Sequence, residues 1–153
     1  MTMIPHHILV PIDFSTYADR ALAYAVRLAT TLRGRLTLLH VIHSTPLDVP
    51  GMETEPTYHT YLQELEETVS QTLQGARKQL RDTGIPGDIA IVHGVPYHEI
   101  IETATAKNVD LIVMGSHGRT GIAHVLLGSV AERVVRLAPC SVLVVRGTEK
   151  QSA

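Results

Sequence analysis

The stretch that decides the fold is VDLIVMGSHGRTGIAHVLLGSV, residues 109–130, followed directly by AERVVRLA. A run of apolar, β-branched residues, Val109 to Met114, breaks into a segment with glycines at 115, 118, 121 and 128, and then into helical periodicity. A buried strand followed by a helix is the half-unit of a parallel sheet. The glycines between them need an explanation beyond chain reversal. A glycine lets another group come within contact of the backbone, because no Cβ stands in the way.

The same alternation extends in both directions. His7 to Ile12 reads as strand one. Thr16, with Asp19 three residues later, resembles a capping-box start, and Ala18, Ala21, Leu22, Ala25, Leu28, Ala29 and Leu32 repeat at helical spacing. Gly34 stands where a C′ glycine ends a helix, and Arg35 to Ile42 is strand two. Residues 44–56 hold three prolines and a glycine, a long loop for a compact domain. Thr57 to about Arg81 is a long helix closed by Gly84 and Pro86, and Asp88 to His93 is strand three. Pro96 opens a third helix with Ile100, Ile101 and Ala104 facing inward, and Asn108 is its left-handed stop. Val109 to Met114 is strand four, Ser129 to Ala138 helix four, and Ser141 to Val145 strand five.

The order βαβαβαβαβ predicts an α/β fold: an open parallel five-stranded sheet, order 3-2-1-4-5, with helices on both faces, in the Rossmann-like manner. With 153 residues and no second core, repeat or linker, one domain over 1–147 with a polar tail at 148–153 is expected. The 44% apolar fraction excludes a disordered chain, and the net charge of −2 offers no bulk attraction to nucleic acid or membrane. The absence of Trp, with a single Phe, leaves few stacking platforms for single-stranded nucleic acid. One cysteine, Cys140, cannot form an intrachain disulfide, and no apolar run reaches the roughly 18 to 20 residues of a membrane span, so a cytoplasmic setting is expected. Nine histidines form neither an HExxH motif nor a Cys/His cluster, so no metal site is expected.

In this topology a ligand lies beyond the carboxyl ends of strands one and four, bordered by Pro11–Ser15 and by Gly115 onward. The spacing excludes two phosphate motifs. A P-loop requires GxxxxGK[ST], and no lysine occurs between Lys107 and Lys150; the dinucleotide GxGxxG is also missing. What remains is Gly115-x2-Gly118-x9-Gly128-Ser129, which ends at the start of a helix, where unpaired N–H groups and the helix dipole favour an anion. Ser129 with Glu132 is equally a capping box, and Asp13 is equally a cap of helix one.

That glycine pattern, with HHILVPIDFS at the start, LLHV, VDLIVMGSHGRTG and the closing LLGSVAERVVRLAPCSVLVVR, resembles the universal stress protein family in its single-domain, ATP-binding form. The resemblance covers nearly the whole chain and is weakest over 44–56. It implies an adenine-nucleotide site for ATP, AMP or ADP, with Mg2+ accompanying the phosphates. Carried over, Gly115, Ser116, His117 and Gly118 wrap the ribose and phosphates. Gly128, Ser129 and Val130 hold the phosphates. Pro11, Ile12 and Asp13 line the adenosine side, Val41 meets adenine through its backbone, and Met114 packs nearby. Arg119, next to Gly118, is added here as a residue that could reach a phosphate. The resemblance also implies a homodimer through the last strand, Ser141 to Val145, an apolar sheet edge suited to pairing.

Three functional readings follow: a nucleotide-dependent regulator that engages an unidentified protein partner, a slow ATPase or phosphotransferase with Ser116, Thr120 or Ser129 as phosphate acceptors, and an interaction protein indifferent to nucleotides. The crevice shows no lysine and no acid–base pair, so hydrolysis is expected to be slow at most. An adenylyltransferase of similar topology would carry HxGH, which neither His6-His7-Ile8 nor His117-Gly118-Arg119 supplies.

Overall fold

The computed structural model describes residues 4–44, 51, 55–118 and 126–147. The elements are β1 (His7–Pro11), α1 (Thr16–Leu32), β2 (Arg35–His43), α2 (Pro56–Asp82), β3 (Gly87–Gly94), α3 (Pro96–Ala106), β4 (Leu111–Gly115), α4 (Ser129–Leu137) and β5 (Ser141–Val145). The sheet is parallel, in the order β3-β2-β1-β4-β5, as the alternation of strands and helices predicts.

Two apolar layers cover the sheet. The pleat sends successive side chains to opposite faces. Ile8, Val10, Leu36, Leu38, Leu111 and Val113 meet α1 and α2 on one face. Leu9, Leu39, Ile112 and Met114 meet α3 and α4 on the other. Helix α1 presents Ala18, Ala21, Ala25 and Ala29, all at most 4% exposed. These short side chains let the helix axis lie close to the sheet. Burying the three central strands, β2, β1 and β4, on both faces explains why they read as continuous apolar runs rather than as alternating ones.

The chain moves from β1 outward to β3, then crosses back to β4 and β5. Right-handed crossovers therefore place α1 and α2 on one face and α3 and α4 on the other. The direction reverses between β1 and β4, and their carboxyl ends diverge there.

The helix ends differ in detail from the sequence reading. Helix α1 is capped by Ser15, whose hydroxyl accepts from the Ala18 N–H, so Thr16 is the first helical residue and not the cap. The left-handed residue that stops α1 is Arg33, at φ 54°, not Gly34. Gly34 is needed for a different reason: a Cβ there would lie 2.9 Å from the His6 carbonyl oxygen, against which the chain packs as it enters β2. Asn108, at φ 50°, ends α3 as its small polar side chain predicts. Ile101 is only partly buried, and Thr103 takes the inward position beside Ile100 and Ala104. Most of the 44–56 segment lies outside the described residues, as does the 148–153 tail.

Candidate functional site

A cleft of about 610 Å³ opens at the diverging ends of β1 and β4. That is a normal size for a small-molecule site. Three backbone segments frame it. Pro11-Ile12-Asp13 leaves β1, Met114 to Gly118 leaves β4, and Gly128-Ser129-Val130 opens α4.

The two glycine segments lock together through the backbone. Gly128 donates to the Ser116 carbonyl at 2.7 Å, and the Ser116 N–H reaches back to the Val145 carbonyl at 3.1 Å. A Cβ on Gly128 would sit 3.2 Å from both the His117 Cα and the Ser116 carbonyl oxygen. On Gly115 it would sit 2.8 Å from the Tyr17 Cβ and 2.9 Å from the Tyr17 carbonyl carbon. These glycines are therefore fixed by contact between backbones, which a turn alone would not demand.

The start of α4 faces the cleft without a side-chain cap. Gly128 is the N-cap and makes no side-chain hydrogen bond, and Ser129 is the first helical residue. The Ser129–Glu132 capping box is thus not formed. The amide groups of the first turn have no partner inside the helix, and Ser129, Val130 and Ala131 all line the cleft. Partial positive charge at this helix end suits an anion.

Asp13 stands opposite. Its Oδ1 accepts from the Ser15 N–H at 2.9 Å, so it braces the turn into α1 without capping the helix itself. Its Oδ2 lies 3.2 Å from where a Gly118 Cβ would be, so the carboxylate lies against Gly118 on the cleft wall. The next residue, Phe14, has φ 64°, a left-handed conformation that a bulky residue adopts only when its surroundings hold it there.

Pro11, Ile12, Val41, Met114, Gly115, His117, Gly118, Gly128, Ser129 and Val130 join Asp13 on the cleft wall. Ser116 does not. It is 3% exposed and lies beneath the wall, with its hydroxyl 3.0 Å from His117 Nδ1. Its side chain orients the His117 ring, which also lies against Tyr17 at 5.2 Å between centroids. Arg119 and Thr120 lie outside the described residues. Leu39, His43, Pro96 and Ile100 also line the cleft and extend it along β2 and α3 into an apolar lobe. Period-two spacing from Val41 would have found Leu39 and His43. The start of α3 could be placed only after the sheet order was known.

Elsewhere, Cys140 is partly buried against the α3–α4 layer, and burial raises its thiol pKa, as suits a small core residue. No group of three or more metal-binding side chains occurs among the described residues. No helix among them is long and apolar enough to cross a membrane.

The model of the universal stress protein family matches residues 5–146. The chain belongs to the universal stress protein family. Universal stress protein MJ0577 of Methanocaldococcus jannaschii is 34% identical over 158 residues, which cover 95% of this chain and 98% of that protein. Universal stress protein YxiE of Bacillus subtilis is 34% identical over 145 residues, 90% of this chain and 97% of the relative. The solved structure of MJ0577 superposes with a TM-score of 0.87 at 33% identity, covering 97% of this chain and all of that one. Universal stress protein UspA of Lactobacillus plantarum follows with a TM-score of 0.85 at 28% identity, over 95% of this chain and 100% of that one. In this universal stress protein the shared fold and the glycine-framed cleft coincide.

Proposed function

We propose that this universal stress protein binds ATP in the cleft and acts in the cytoplasm as a nucleotide-dependent, homodimeric switch for a partner protein. One observation carries the reading: the uncapped first turn of α4, held in backbone contact with the Gly115–Gly118 segment, opens into a cleft whose other end is apolar. The polar end suits phosphates, and the apolar lobe of Leu39, Val41, Met114 and Ile100 suits a base. Between them, Asp13 offers an acceptor to ribose hydroxyls or to magnesium. One carboxylate together with the nucleotide's own phosphate oxygens fits the way this ion is usually held. Its chemistry there would be neutralisation of phosphate charge.

Solved universal stress proteins include a complex with cAMP, at 24% identity and a TM-score of 0.69, and an Archaeoglobus fulgidus complex with dAMP, at 23% and 0.63. At those identities they speak for the fold, so the reading here rests on the cleft. Strand β5 ends the sheet, and a second copy of this chain pairing along Ser141–Val145 is the proposed dimer contact.

The test is calorimetric titration of magnesium-ATP into the wild type and Gly128→Glu, with chromatography of nucleotides released by heating the purified protein. The substituted side chain would strike the Ser116 carbonyl and place a negative charge at the phosphate end. Saturable binding that is lost in the variant supports the site. Equal titrations of the two proteins would refute it. Release of ADP during the titration would favour slow hydrolysis.

A further inference from the structure

We propose that His40, which does not line the cleft, is a positioning residue for nucleotide binding and sets the orientation of Asp13 through Phe14 and Ile12; the inference rests on the nucleotide reading above. His40 is one residue before Val41 on β2, so the pleat turns it to the other face of the sheet. It is half-buried, and two contacts bracket Asp13. Its Nδ1 lies 2.6 Å from the Ile12 carbonyl oxygen, and its ring stacks on Phe14 at 4.8 Å and 29°. A carbonyl can only accept, so Nδ1 carries a proton. One contact fixes the residue before Asp13 and the other the residue after it. The Ile12 N–H, donating to the Leu39 carbonyl at 2.7 Å, ties the same turn to β2.

The backbone between these contacts needs holding. Phe14 sits at φ 64°, where glycine would be at ease and a bulky side chain is strained. The phenyl ring offsets that cost by stacking on His40 and packing against the α1–α2 layer. The left-handed residue turns the Ser15 N–H back onto Asp13 Oδ1 at 2.9 Å. With one oxygen engaged there, the other lies beside Gly118 on the cleft wall. Release of Phe14 to an unstrained φ would swing the Ser15 amide away and free the carboxylate to rotate. The path therefore runs from His40 to Phe14, to the Ser15 amide and to the ligand-facing oxygen of Asp13.

Three substitutions separate the contacts. His40→Asn keeps an N–H near the Nδ1 position and loses the ring, His40→Phe keeps a ring and loses the donor, and His40→Ala loses both. Magnesium-ATP affinity and thermal midpoint are measured for each, for Asp13→Asn and for the His40→Ala, Asp13→Asn double variant. His40→Ala is expected to weaken binding by about tenfold, the scale of one hydrogen bond to a charged group. The Asn and Phe variants should each recover part of that loss. In the Asp13→Asn background, His40→Ala should add little, since the two residues act on one contact. A purely structural role would lower the midpoint of all three variants and leave the affinity of the folded protein unchanged. If His40→Ala does not fold, the Asn and Phe variants carry the test. Wild-type affinity in the His40 variants, with binding weakened in Asp13→Asn, overturns the positioning role and leaves the site standing. Additive losses in the double variant overturn it as well. Wild-type affinity in both Asp13→Asn and Gly128→Glu removes the nucleotide reading, and this inference with it.

Discussion

His7 Nε2 lies 2.7 Å from the hydroxyl of Thr37, a residue with no solvent exposure, at the end of the sheet opposite the cleft. The Thr37 hydroxyl gives its one proton to Asp88 at 2.5 Å, so His7 must donate from Nε2. Its Nδ1 then accepts from the Arg35 guanidinium at 3.0 Å. Only neutral imidazole satisfies both contacts. Burial first, and then the Arg35 charge, hold the His7 pKa below its ordinary value; the backbone of Lys107 and the charges of Asp88 and Asp110 act in the opposite direction. A base with a depressed folded pKa binds its proton more readily when unfolded, so stability rises with pH through that window. It is fully present above the ordinary value of about 6.5 and falls as pH drops toward the lowered one. Thermal melts between pH 7 and 5 should show a falling midpoint in the wild type and a flatter profile in His7→Gln. A parallel fall in both proteins would assign the dependence to other groups.

A separate acid limb should appear lower. Asp110 is held below its ordinary value first by the His7 backbone N–H, with the His6 N–H adding to it. Burial raises Asp88, but the hydrogen bond from Thr37 and the Lys107 charge outweigh it and leave that carboxyl low too. Carboxylates with depressed folded pKa values stabilise the protein above the unfolded value of about 3.9, and that contribution is lost as pH falls through the lower folded one. Asp110→Asn should therefore flatten the melting profile below pH 4 and leave the His7 limb, which lies below the ordinary histidine value, in place. Loss of both limbs together would show that they share one cause.

Two glycines should respond in opposite directions to the same substitution. Gly115→Ala drives a methyl into the Tyr17 backbone, which cannot give way, and overpacking of this kind costs about 1–3 kcal/mol. Gly75 lies inside α2 with nothing within 4 Å of its Cβ position. There, Gly75→Ala should stabilise the protein by about 0.5–1 kcal/mol through helix propensity. Urea unfolding of the pair measures both. A neutral Gly115→Ala would show that α1 can shift away from β4, and that the glycine is not fixed by this contact.

Ser129 separates a ligand role from a structural one. Because Gly128 is the cap, Ser129→Ala removes no helix-capping bond, and stability should stay within about 0.5 kcal/mol of wild type. If the hydroxyl meets a phosphate, affinity for magnesium-ATP should fall about tenfold or more, in line with a hydrogen bond to a charged group. A large loss of stability with unchanged affinity would restore the capping box.

What the sequence made legible follows from what dominates locally. Strands buried on both faces announce themselves as apolar runs, so their number and order could be read, and the order placed the crevice between Pro11–Asp13 and Gly115–Gly118. The strand ends moved by a residue or two because pairing with a neighbour, not propensity, decides where a ladder stops. Ser15 and Thr16 are both good caps, as Gly128 and Ser129 both can be, and only the backbone path chooses between them. Gly34 looked like a helix stop because its requirement comes from His6, far away in the sequence. The role of His40 was hidden for a related reason. Nothing local says that Phe14 is left-handed, and the contact that holds it spans two strands.

The β5 edge offers a test of the dimer that spares the monomer. The Val145 carbonyl accepts from Ser116, so the polar groups of Val145 face β4. In a parallel strand both backbone groups of one residue point the same way, and the next residue points the other way. The N–H and carbonyl of Val144 therefore face the open edge. Val144→Pro removes an outward donor and places a ring where a partner strand would pair, without breaking the bonds to β4. Sedimentation at micromolar concentration should show a dimer for the wild type and a monomer for Val144→Pro, with far-UV circular dichroism unchanged. A dimer that survives the substitution would move the contact off this edge. The exposed Val135 and Leu137 of α4 would then be the next surface to substitute.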